Sequence, residues 1–275
     1  MKERTITAFL MAALMIPILV FGHYFYLIDI FAGLLAFYGT YEVARVFNTG
    51  KRFGKIVNFL TAFAAIDVYL VILAQARFGL DPIWILYLII AYFAFFGTLM
   101  VFVDEFKAVD FANQLVAILF GSIGFATFAI LRDKSLMIVL YLLIVAIFTD
   151  TFAYLFGIKF GKHRLAPLVS PKKSIEGAVA GLVFGALFAS AFALGFSIFE
   201  EWHFTTIAVV LLSLALSVVG QMGDLFKSKL KRSYNVKDFS NLFPGHGGIL
   251  DRFDSLVFIS LVMYLLLNVL GTVWL

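Results

Sequence analysis

Residues 82–103 read PIWILYLIIAYFAFFGTLMVFV, a stretch without one charged side chain. A helix needs about 20 consecutive apolar residues to cross the hydrocarbon core of a bilayer, and this stretch meets that requirement. The rest of the chain has the same character, since 63% of its 275 residues are hydrophobic, 14% are charged and the mean hydropathy is +1.03. Soluble domains are only roughly 45–50% apolar. The sequence therefore predicts an integral membrane protein.

Apolar stretches of similar length recur along the chain. They lie at approximately 5–22, 24–46, 54–76, 82–103, 111–131, 135–158, 175–198, 204–226 and 249–273. None alternates apolar and polar residues with period two, as the strands of a transmembrane barrel do. No small-residue cleavage site follows the first stretch, so it is predicted to be a retained helix and not a signal peptide. The predicted fold is all-α and polytopic, with about nine transmembrane helices.

The distribution of basic residues predicts the orientation, because short cytoplasmic loops of membrane proteins are rich in Lys and Arg. With nine passes, 18 of the 21 basic residues fall on the side of the N-terminus, and only Arg77, Arg132 and Lys134 fall on the other side. One helix more or fewer would scramble this segregation. We therefore predict a multi-pass protein of the cell (inner) membrane with a cytoplasmic N-terminus, an outside C-terminus and cytoplasmic loops at 159–174 and 227–248.

Composition also narrows the chemistry. The chain contains no cysteine, which excludes disulfides, iron–sulfur clusters, thiolate zinc sites and a cysteine nucleophile. It contains four histidines, of which His23 and His203 stand alone beside apolar runs. A histidine-rich transition-metal site is thereby disfavoured, and a hard cation held by carboxylates is favoured.

The loop between the last two predicted helices has the densest set of polar groups. Residues 224–255 read DLFKSKLKRSYNVKDFSNLFPGHGGILDRFDS. Asp251 and Asp254 are three residues apart at a helix start, so their carboxylates share a face, and Asp224 at the end of the preceding helix is placed to meet them. Mg²⁺ takes one or two carboxylates and completes its shell with water and phosphate oxygens. These carboxylates predict a magnesium site, with helix capping or ion pairing as the alternative for each.

The same loop predicts a phosphate-binding turn. Pro244, Gly245, Gly247 and Gly248 surround His246, a composition that cannot continue a helix and lets the backbone approach a ligand. The N-terminus of the following helix offers backbone N–H groups to an anion. Basic side chains that add donors are Lys231, Arg232, Lys237 and Arg252.

A second polar segment precedes the seventh predicted helix. Residues 149–177 read TDTFAYLFGIKFGKHRLAPLVSPKKSIEG, with Asp150 inside the sixth helix. Ser170 and Pro171 suit the N-cap and first position of a helix. Two lysines beside them, Lys172 and Lys173, oppose the helix dipole unless an anion binds there. This segment is predicted to be a second phosphate-binding element.

Both segments resemble the phosphatidate cytidylyltransferases, also called CDP-diacylglycerol synthases. The loop pattern, which departs from that of the family nowhere, is Ser228-x-Leu230-Lys231-Arg232-x4-Lys237-Asp238-x-Ser240-x2-Phe243-Pro244-x-His246-Gly247-Gly248-Ile249-x-Asp251-Arg252-Phe253-Asp254. The upstream patterns are Asp150-x2-Ala153-Tyr154-x2-Gly157 and Ser170-Pro171-Lys172-Lys173-Ser174-x-Glu176-Gly177, with Ser174 where Thr is common. The resemblance covers about residues 150–255, and the earlier helices match only in being apolar.

The resemblance implies a Mg²⁺-dependent transfer of a cytidylyl group, in which CTP and phosphatidic acid give CDP-diacylglycerol and pyrophosphate in phospholipid biosynthesis. It implies that Mg²⁺, alone or with a second cation, is held by Asp224, Asp251 and Asp254. The catalytic residues that it implies are Asp224, Lys231, Arg232, Lys237, His246, Asp251 and Arg252. The substrate-binding residues are Asp150, Ser170, Lys172, Lys173, Ser174, Lys231, Arg232, Lys237 and Arg252. A homodimer in the lipid bilayer is implied as well, and no nucleic-acid partner.

Two further predictions concern organisation. Residues 1–110 are predicted to form a lipid-cavity or dimerisation part, and residues 111–275 the catalytic membrane domain. Other polar residues in the helices are interpreted as helix-to-helix hydrogen bonds or as the lining of a lipid cavity; they are Glu42, Arg45, Asp67, Asn113 and Gln114. Gly177 and Gly181, four residues apart, predict close contact between helices.

Other functions remain open at this point. A membrane polyprenol or phytol kinase, or a synthase that acts on an ether lipid, would share the basic loops, although the complete pattern from His246 to Asp254 argues against a kinase. A transporter would place its ionisable residues near the middle of the bilayer on broken helices, whereas these cluster at one interface. A CDP-alcohol phosphotransferase would need its own closely spaced Asp-Gly and Ala-Arg motif, which the chain lacks.

Overall fold

The structure is a computed structural model that describes residues 2–22, 24–243 and 247–273. Its elements are α1 (Lys2–Phe21), α2 (Leu27–Phe47), α3 (Gly54–Phe78), α4 (Ile83–Phe102), α5 (Ala108–Lys134), α6 (Leu136–Phe160), β1 (Arg164–Ala166), β2 (Ser170–Ser174), α7 (Ile175–Gly195), α8 (Thr206–Ser233) and α9 (Leu250–Val273). Short 3-10 turns occur at Tyr24–Tyr26 and Glu200–Trp202. Helices α2 to α9 are long and apolar enough to cross a membrane. The polytopic helical fold is confirmed, whereas the crossing of α1 and the sides of the termini stay predictions.

A small antiparallel hairpin, β1 with β2, separates α6 from α7 and pairs Arg164 with Ser174. The prediction that Ser170 and Pro171 begin the seventh helix is wrong. Helix α7 begins at Ile175, and Ser174 is its N-cap, because the Ser174 Oγ accepts a hydrogen bond from the Gly177 N at 3.1 Å. Proline lacks an N–H and fits an edge strand as well as a first helical turn. The two lysines therefore extend from a strand that leads into α7.

The chain forms two compact units. The first comprises Met1–Ile130 and Val236–Arg252, and the second comprises Leu131–Asn235 and Phe253–Leu275. Each unit thus combines segments that are distant in sequence, and α9 begins in the first unit and continues in the second. The predicted functional division at residue 110 stays a prediction.

In the first unit, α3, α4 and α5 pack around an apolar core. Its buried residues are Val57, Ala64, Val68, Phe96, Phe106 and Ile118. Within residues 83–102, all of which are described, Phe96 is the buried one, and large apolar side chains such as Trp84, Phe93 and Phe102 are exposed. A helix that is apolar all round and exposed on most sides suits contact with lipid.

Buried amides join the helices of the first unit. The Gln114 Oε1 accepts a hydrogen bond from the Thr61 Oγ1 at 2.8 Å, and the Gln114 Nε2 donates to the Asn48 Oδ1 at 3.3 Å. The Asn48 Nδ2 in turn donates to the Asn58 Oδ1 at 2.8 Å. Breaking one such bond and leaving a buried polar group unsatisfied costs about 1–3 kcal/mol. For Gln114, the interpretation as a helix-to-helix hydrogen-bonding residue is confirmed.

In the second unit, α6 and α7 lie in close contact through glycine. A Cβ at Gly177 would lie 2.5 Å from the carbonyl oxygen of Ala153, and one at Gly181 would lie 2.6 Å from that of Thr149. The predicted close contact at these glycines is therefore confirmed, and its partner is α6. Stacked rings continue the same interface, as Phe152 of α6 lies 4.5 Å from Phe184 of α7 between ring centroids.

Candidate active site

A cavity of about 660 Å³ opens in the second unit among α6, α7, α8 and the hairpin. Its volume lies within the roughly 300–1,000 Å³ of small-molecule sites. Polar residues that line it are Asp150, Arg164, Lys172, Lys173, Ser174, Gln221 and Asp224, and apolar lining includes Tyr154, Ile158 and Leu165. The cavity therefore brings together carboxylates and basic groups from both segments that the sequence singled out.

Charged groups form a chain at one side of this cavity. The Lys173 Nζ lies 2.5 Å from the Asp224 Oδ2, and the Lys227 Nζ lies 3.2 Å from the Asp224 Oδ1 and 2.5 Å from the Asp254 Oδ2. The side chains of Lys227 and Asp254 are each 8% exposed, and that of Asp224 is 23% exposed. Two lysines thus neutralise two carboxylates where water has little access.

Lys227 was not among the predicted site residues. Its position three residues after Asp224 on α8 places the two side chains on one helix face, which is the signal that could have identified it. The sequence predicted that Asp224 meets Asp254, but it did not indicate that Lys227 lies between the two carboxylates.

Metal binding can be assessed from the carboxylates present. Among the described residues, no group of three or more Asp, Glu and His side chains is close enough to hold a metal ion. Asp224 and Asp254 are both bonded to Lys227, and one or two protein carboxylates are the usual set for Mg²⁺ when phosphate oxygens supply further ligands. The assignment of Asp224, Asp251 and Asp254 to a metal stays a prediction.

The first turn of α7 fixes the approach to the hairpin. The Glu176 Oε2 accepts a hydrogen bond from the Lys162 N at 3.1 Å, and the Glu176 Oε1 lies 2.6 Å from the Nδ1 of His163. Ser174, which caps the same turn, is 3% exposed. Because both ends of the hairpin are tied to α7, Lys172 and Lys173 hold a defined position at the cavity.

Other predicted residues of the second unit lie near the ends of elements. Ser170 begins β2, and Lys231 and Arg232 belong to the last turn of α8. Lys231 is 8% exposed, whereas Arg232 is exposed. Within the described part of the chain, the cavity lining does not extend to these three residues.

The described residues of the glycine loop, 239–243 and 247–249, belong to the first unit. The Asp251 Oδ2 accepts hydrogen bonds from the Phe239 N at 2.9 Å and the Gly248 N at 3.0 Å. Asp251 is 6% exposed, so its carboxylate joins these two loop residues where water has little access. Lys237 and Arg252 are exposed. The predicted residue His246 lies outside the described residues, as do Pro244 and Gly245.

Comparison with known proteins identifies the family. Residues 2–270 match the model of the cytidylyltransferase family. This chain belongs to that family. The predicted resemblance is therefore confirmed, and the match extends well beyond the motifs to the N-terminal helices, which composition alone could not assign.

Relatives of this cytidylyltransferase-family chain are similar over nearly their full length. The phosphatidate cytidylyltransferase of Staphylococcus haemolyticus is 33% identical over 268 residues, which cover 97% of this chain and 99% of the relative. Phosphatidate cytidylyltransferases of Staphylococcus epidermidis and Staphylococcus aureus are each 34% identical, over 267 and 268 residues, with the same coverage.

Proposed function

We propose that this cytidylyltransferase-family protein is a phosphatidate cytidylyltransferase that converts CTP and phosphatidic acid into CDP-diacylglycerol and pyrophosphate. One observation carries the proposal. A cavity between membrane helices combines three basic side chains, Arg164, Lys172 and Lys173, with two carboxylates, Asp150 and Asp224. Basic groups suit two phosphate-bearing substrates, and carboxylates suit the cation that accompanies them. The names of the full-length relatives support the same reaction.

In this reaction an oxygen of the phosphatidate phosphate forms a bond to the α-phosphorus of CTP. The bond between that phosphorus and the oxygen bridging to the β-phosphate breaks, and pyrophosphate leaves. The attacking oxygen is already anionic, so the protein's main tasks are to position two anions and to stabilise the charge of the leaving group. Lys172 and Arg164 line the cavity on exposed positions, from which their side chains can bind phosphate oxygens.

We propose that the reaction depends on Mg²⁺ and that Asp224 and Asp254, with Asp251, are the residues that would hold it. The pair bonded to Lys227 fits the donor chemistry of Mg²⁺, which takes carboxylate and phosphate oxygens. Bound Mg²⁺ would supply neutralisation of phosphate charge. The same proposal includes a second cation. Asp150 would be either a further ligand of the metal or a residue that contacts the ligands.

The depth of the carboxylates in the membrane supports a lipid phosphate as substrate. Helix α8 begins at Thr206, and a rise of 1.5 Å per residue places Asp224 about 27 Å further along its axis. The hydrocarbon core is about 30 Å thick, so with Thr206 at one boundary of the core this carboxylate comes near the other boundary, where phospholipid headgroups begin. A phosphate at that level is held by the bilayer beside the cavity.

We further propose that the enzyme is a homodimer in the cell (inner) membrane and that the cavity faces the cytoplasm. The segregation of basic residues supports this orientation. Because the chain has no cysteine, single cysteines introduced at exposed positions can be labelled without background. The variant Leu168→Cys, in the hairpin, should react with an impermeant maleimide only in inverted vesicles. Labelling in intact cells, where the reagent reaches only the outer face of the membrane, would contradict the orientation.

The proposed function is tested with detergent-purified protein, radiolabelled CTP and phosphatidic acid, with and without Mg²⁺. We expect Mg²⁺-dependent label in the lipid fraction and one pyrophosphate released per labelled lipid. Asp224→Asn should lower the rate roughly 100-fold or more, whereas Asp104→Asn, which alters an exposed carboxylate between α4 and α5, should not. Absence of labelled lipid from folded protein, with phosphate transfer to a prenol instead, would indicate a lipid kinase.

A further inference from the structure

Two carboxylates close the glycine loop in the first unit. Asp251 accepts hydrogen bonds from the two ends of the loop, at Phe239 N and Gly248 N. Glu42 of α2 also accepts hydrogen bonds from both ends of the loop, in each case from the residue that follows the partner of Asp251. The Glu42 Oε1 lies 2.5 Å from the Ser240 Oγ, and the Glu42 Oε2 accepts a hydrogen bond from the Ile249 N at 2.8 Å. The loop is therefore held at its base by two parallel bridges, of which one comes from a distant helix.

The Glu42 bridge is buried and sterically defined. Glu42 is 5% exposed, so its interactions are shielded from water and worth more than surface contacts. A Cβ at Gly248 would lie 2.7 Å from the Glu42 Cδ, so a side chain there would displace the Glu42 carboxylate. Gly248 therefore lets the backbone come close enough for the adjacent Ile249 N to reach the carboxylate.

Further contacts tie the same loop to α2. The Arg45 Nη2, from the next turn of α2, donates to the Phe239 O at 3.2 Å. Gly39, on the preceding turn, packs closely on Leu250, whose side chain lies 3.1 Å from the position that a Cβ would take. Beyond the base, Phe243 and Gly247 exchange two backbone hydrogen bonds of 2.9 and 3.1 Å. The loop therefore packs and hydrogen-bonds against one face of α2.

We propose that Glu42 is a positioning residue of the cytidylyltransferase, which sets the conformation of the glycine loop and through it the affinity for the triphosphate of CTP. This inference rests on the proposed function, because the loop is expected to bind phosphate through its backbone and through the flanking Lys237 and Arg252. Glu42 itself is 5% exposed and bonded to the loop, so the proposed role is exerted through the loop and not by contact with the substrate. The sequence suggested that Glu42 makes a helix-to-helix hydrogen bond or lines a lipid cavity. In the structure its carboxylate joins α2 to a loop instead.

Substitution of Glu42 separates positioning from general stability. Glu42→Ala removes both hydrogen bonds and should raise the KM for CTP about 10- to 100-fold, with the KM for phosphatidate changed less than about threefold. Glu42→Gln should stay within about threefold of the native protein, because an amide can accept from the Ile249 N while its NH2 group donates to the Ser240 Oγ. Rescue by the isosteric amide is a result that simple loss of a buried side chain would not give.

Asp110→Asn is the matched control. Asp110 is 4% exposed, belongs to the same unit and pairs with Lys51 and the Lys107 N; among the described residues, its side chain makes no hydrogen bond or ion pair with the glycine loop. This variant should lose thermal stability while its KM for CTP stays within about twofold. Equal KM changes in Asp110→Asn and Glu42→Ala, or a Glu42→Ala enzyme with an unchanged KM for CTP, would overturn the proposal.

Hydrogen exchange provides a readout that does not depend on catalysis. Amides in peptides covering 239–250 should exchange at least about tenfold faster in Glu42→Ala, and those of α3 should not. Unchanged exchange in the loop would refute the bridge itself. If the native protein transferred no cytidylyl group, the proposed function would fail while this measurement would still decide the bridge. If Glu42→Ala does not fold, Ser240→Ala tests the same contact from the loop side. We expect this variant to raise the KM for CTP about 3- to 10-fold. An unchanged KM would count against the proposal.

Discussion

Lys227 offers the sharpest test of the charge arrangement. Its ammonium group lies 2.5 Å from Asp254 and 3.2 Å from Asp224, and its side chain is 8% exposed. Lys227→Met would leave the buried Asp254 without this cation, and loss of one partner from a buried pair typically costs about 3–5 kcal/mol. Asp224 keeps Lys173, so we expect the lower end, about 3 kcal/mol. For a chain of this size that corresponds to a decrease of about 6–12 °C in the unfolding midpoint.

The assay is thermal unfolding of purified protein in detergent, with and without Mg²⁺. If Asp224 and Asp254 hold the cation, Mg²⁺ should restore the midpoint of Lys227→Met by more than it stabilises the native protein, because the ion replaces the missing positive charge. Lys229→Met, an exposed lysine two residues further on α8, is the matched control and should change the midpoint by less than about 2 °C. A Lys227→Met midpoint equal to that of the control would refute the reasoning.

The remaining predictions concern packing, capping and the cation. Gly181→Val places its Cβ 2.6 Å from the Thr149 O and should lower the free energy of unfolding by about 1–3 kcal/mol, as measured by thermal unfolding. The control Gly195→Ala, with no atom within 4 Å of its Cβ, should be neutral. Equal effects of the two substitutions would contradict tight α6–α7 contact. Ser174→Ala removes the N-cap of α7 and should cost about 1 kcal/mol, with an unchanged midpoint counting against the cap. Removal of divalent cations with EDTA should abolish lipid labelling and added Mg²⁺ should restore it, whereas full activity in EDTA would exclude the metal.

Apolar stretches in the sequence located the membrane helices closely. The stretch 54–76 corresponds to Gly54–Phe78, and 82–103 corresponds to Ile83–Phe102. The largest difference is at α8, predicted to end near 226 but continuing to Ser233. Hydropathy detects only the part of a helix that lies in lipid, whereas the basic turns that follow continue the same hydrogen-bonded helix outside it.

Local chemistry predicted part of the site. The family resemblance assigned Asp150, Lys172, Lys173 and Asp224 to substrate or metal binding, and the cavity of the second unit brings these four residues together. It failed at the hairpin, because Ser170 and Pro171 satisfy the local preferences of a helix start and those of an edge strand equally well. Pairing with 164–166 decides between them, and that contact lies outside the local pattern.

The contacts of Glu42 could not be predicted from one sequence. Its two partners lie 198 and 207 residues away along the chain, and no periodicity links positions so far apart. An isolated acid in an apolar helix is compatible with several roles. Only the folded arrangement distinguishes them, since the role follows from which backbone N–H groups the carboxylate reaches.

The first unit combines residues 1–130 with residues 236–252, which has a consequence for biosynthesis. At about 5–20 residues per second, the ribosome needs about 10–40 s to proceed from Glu42 to Ile249, its partner 207 residues later. During that interval α2 is already made while the loop that it must hold does not yet exist. The first unit therefore stays incomplete until its second segment is made, and a nascent chain that stops between residues 225 and 238 contains every residue that lines the cavity in the second unit and none of the loop that α2 contacts.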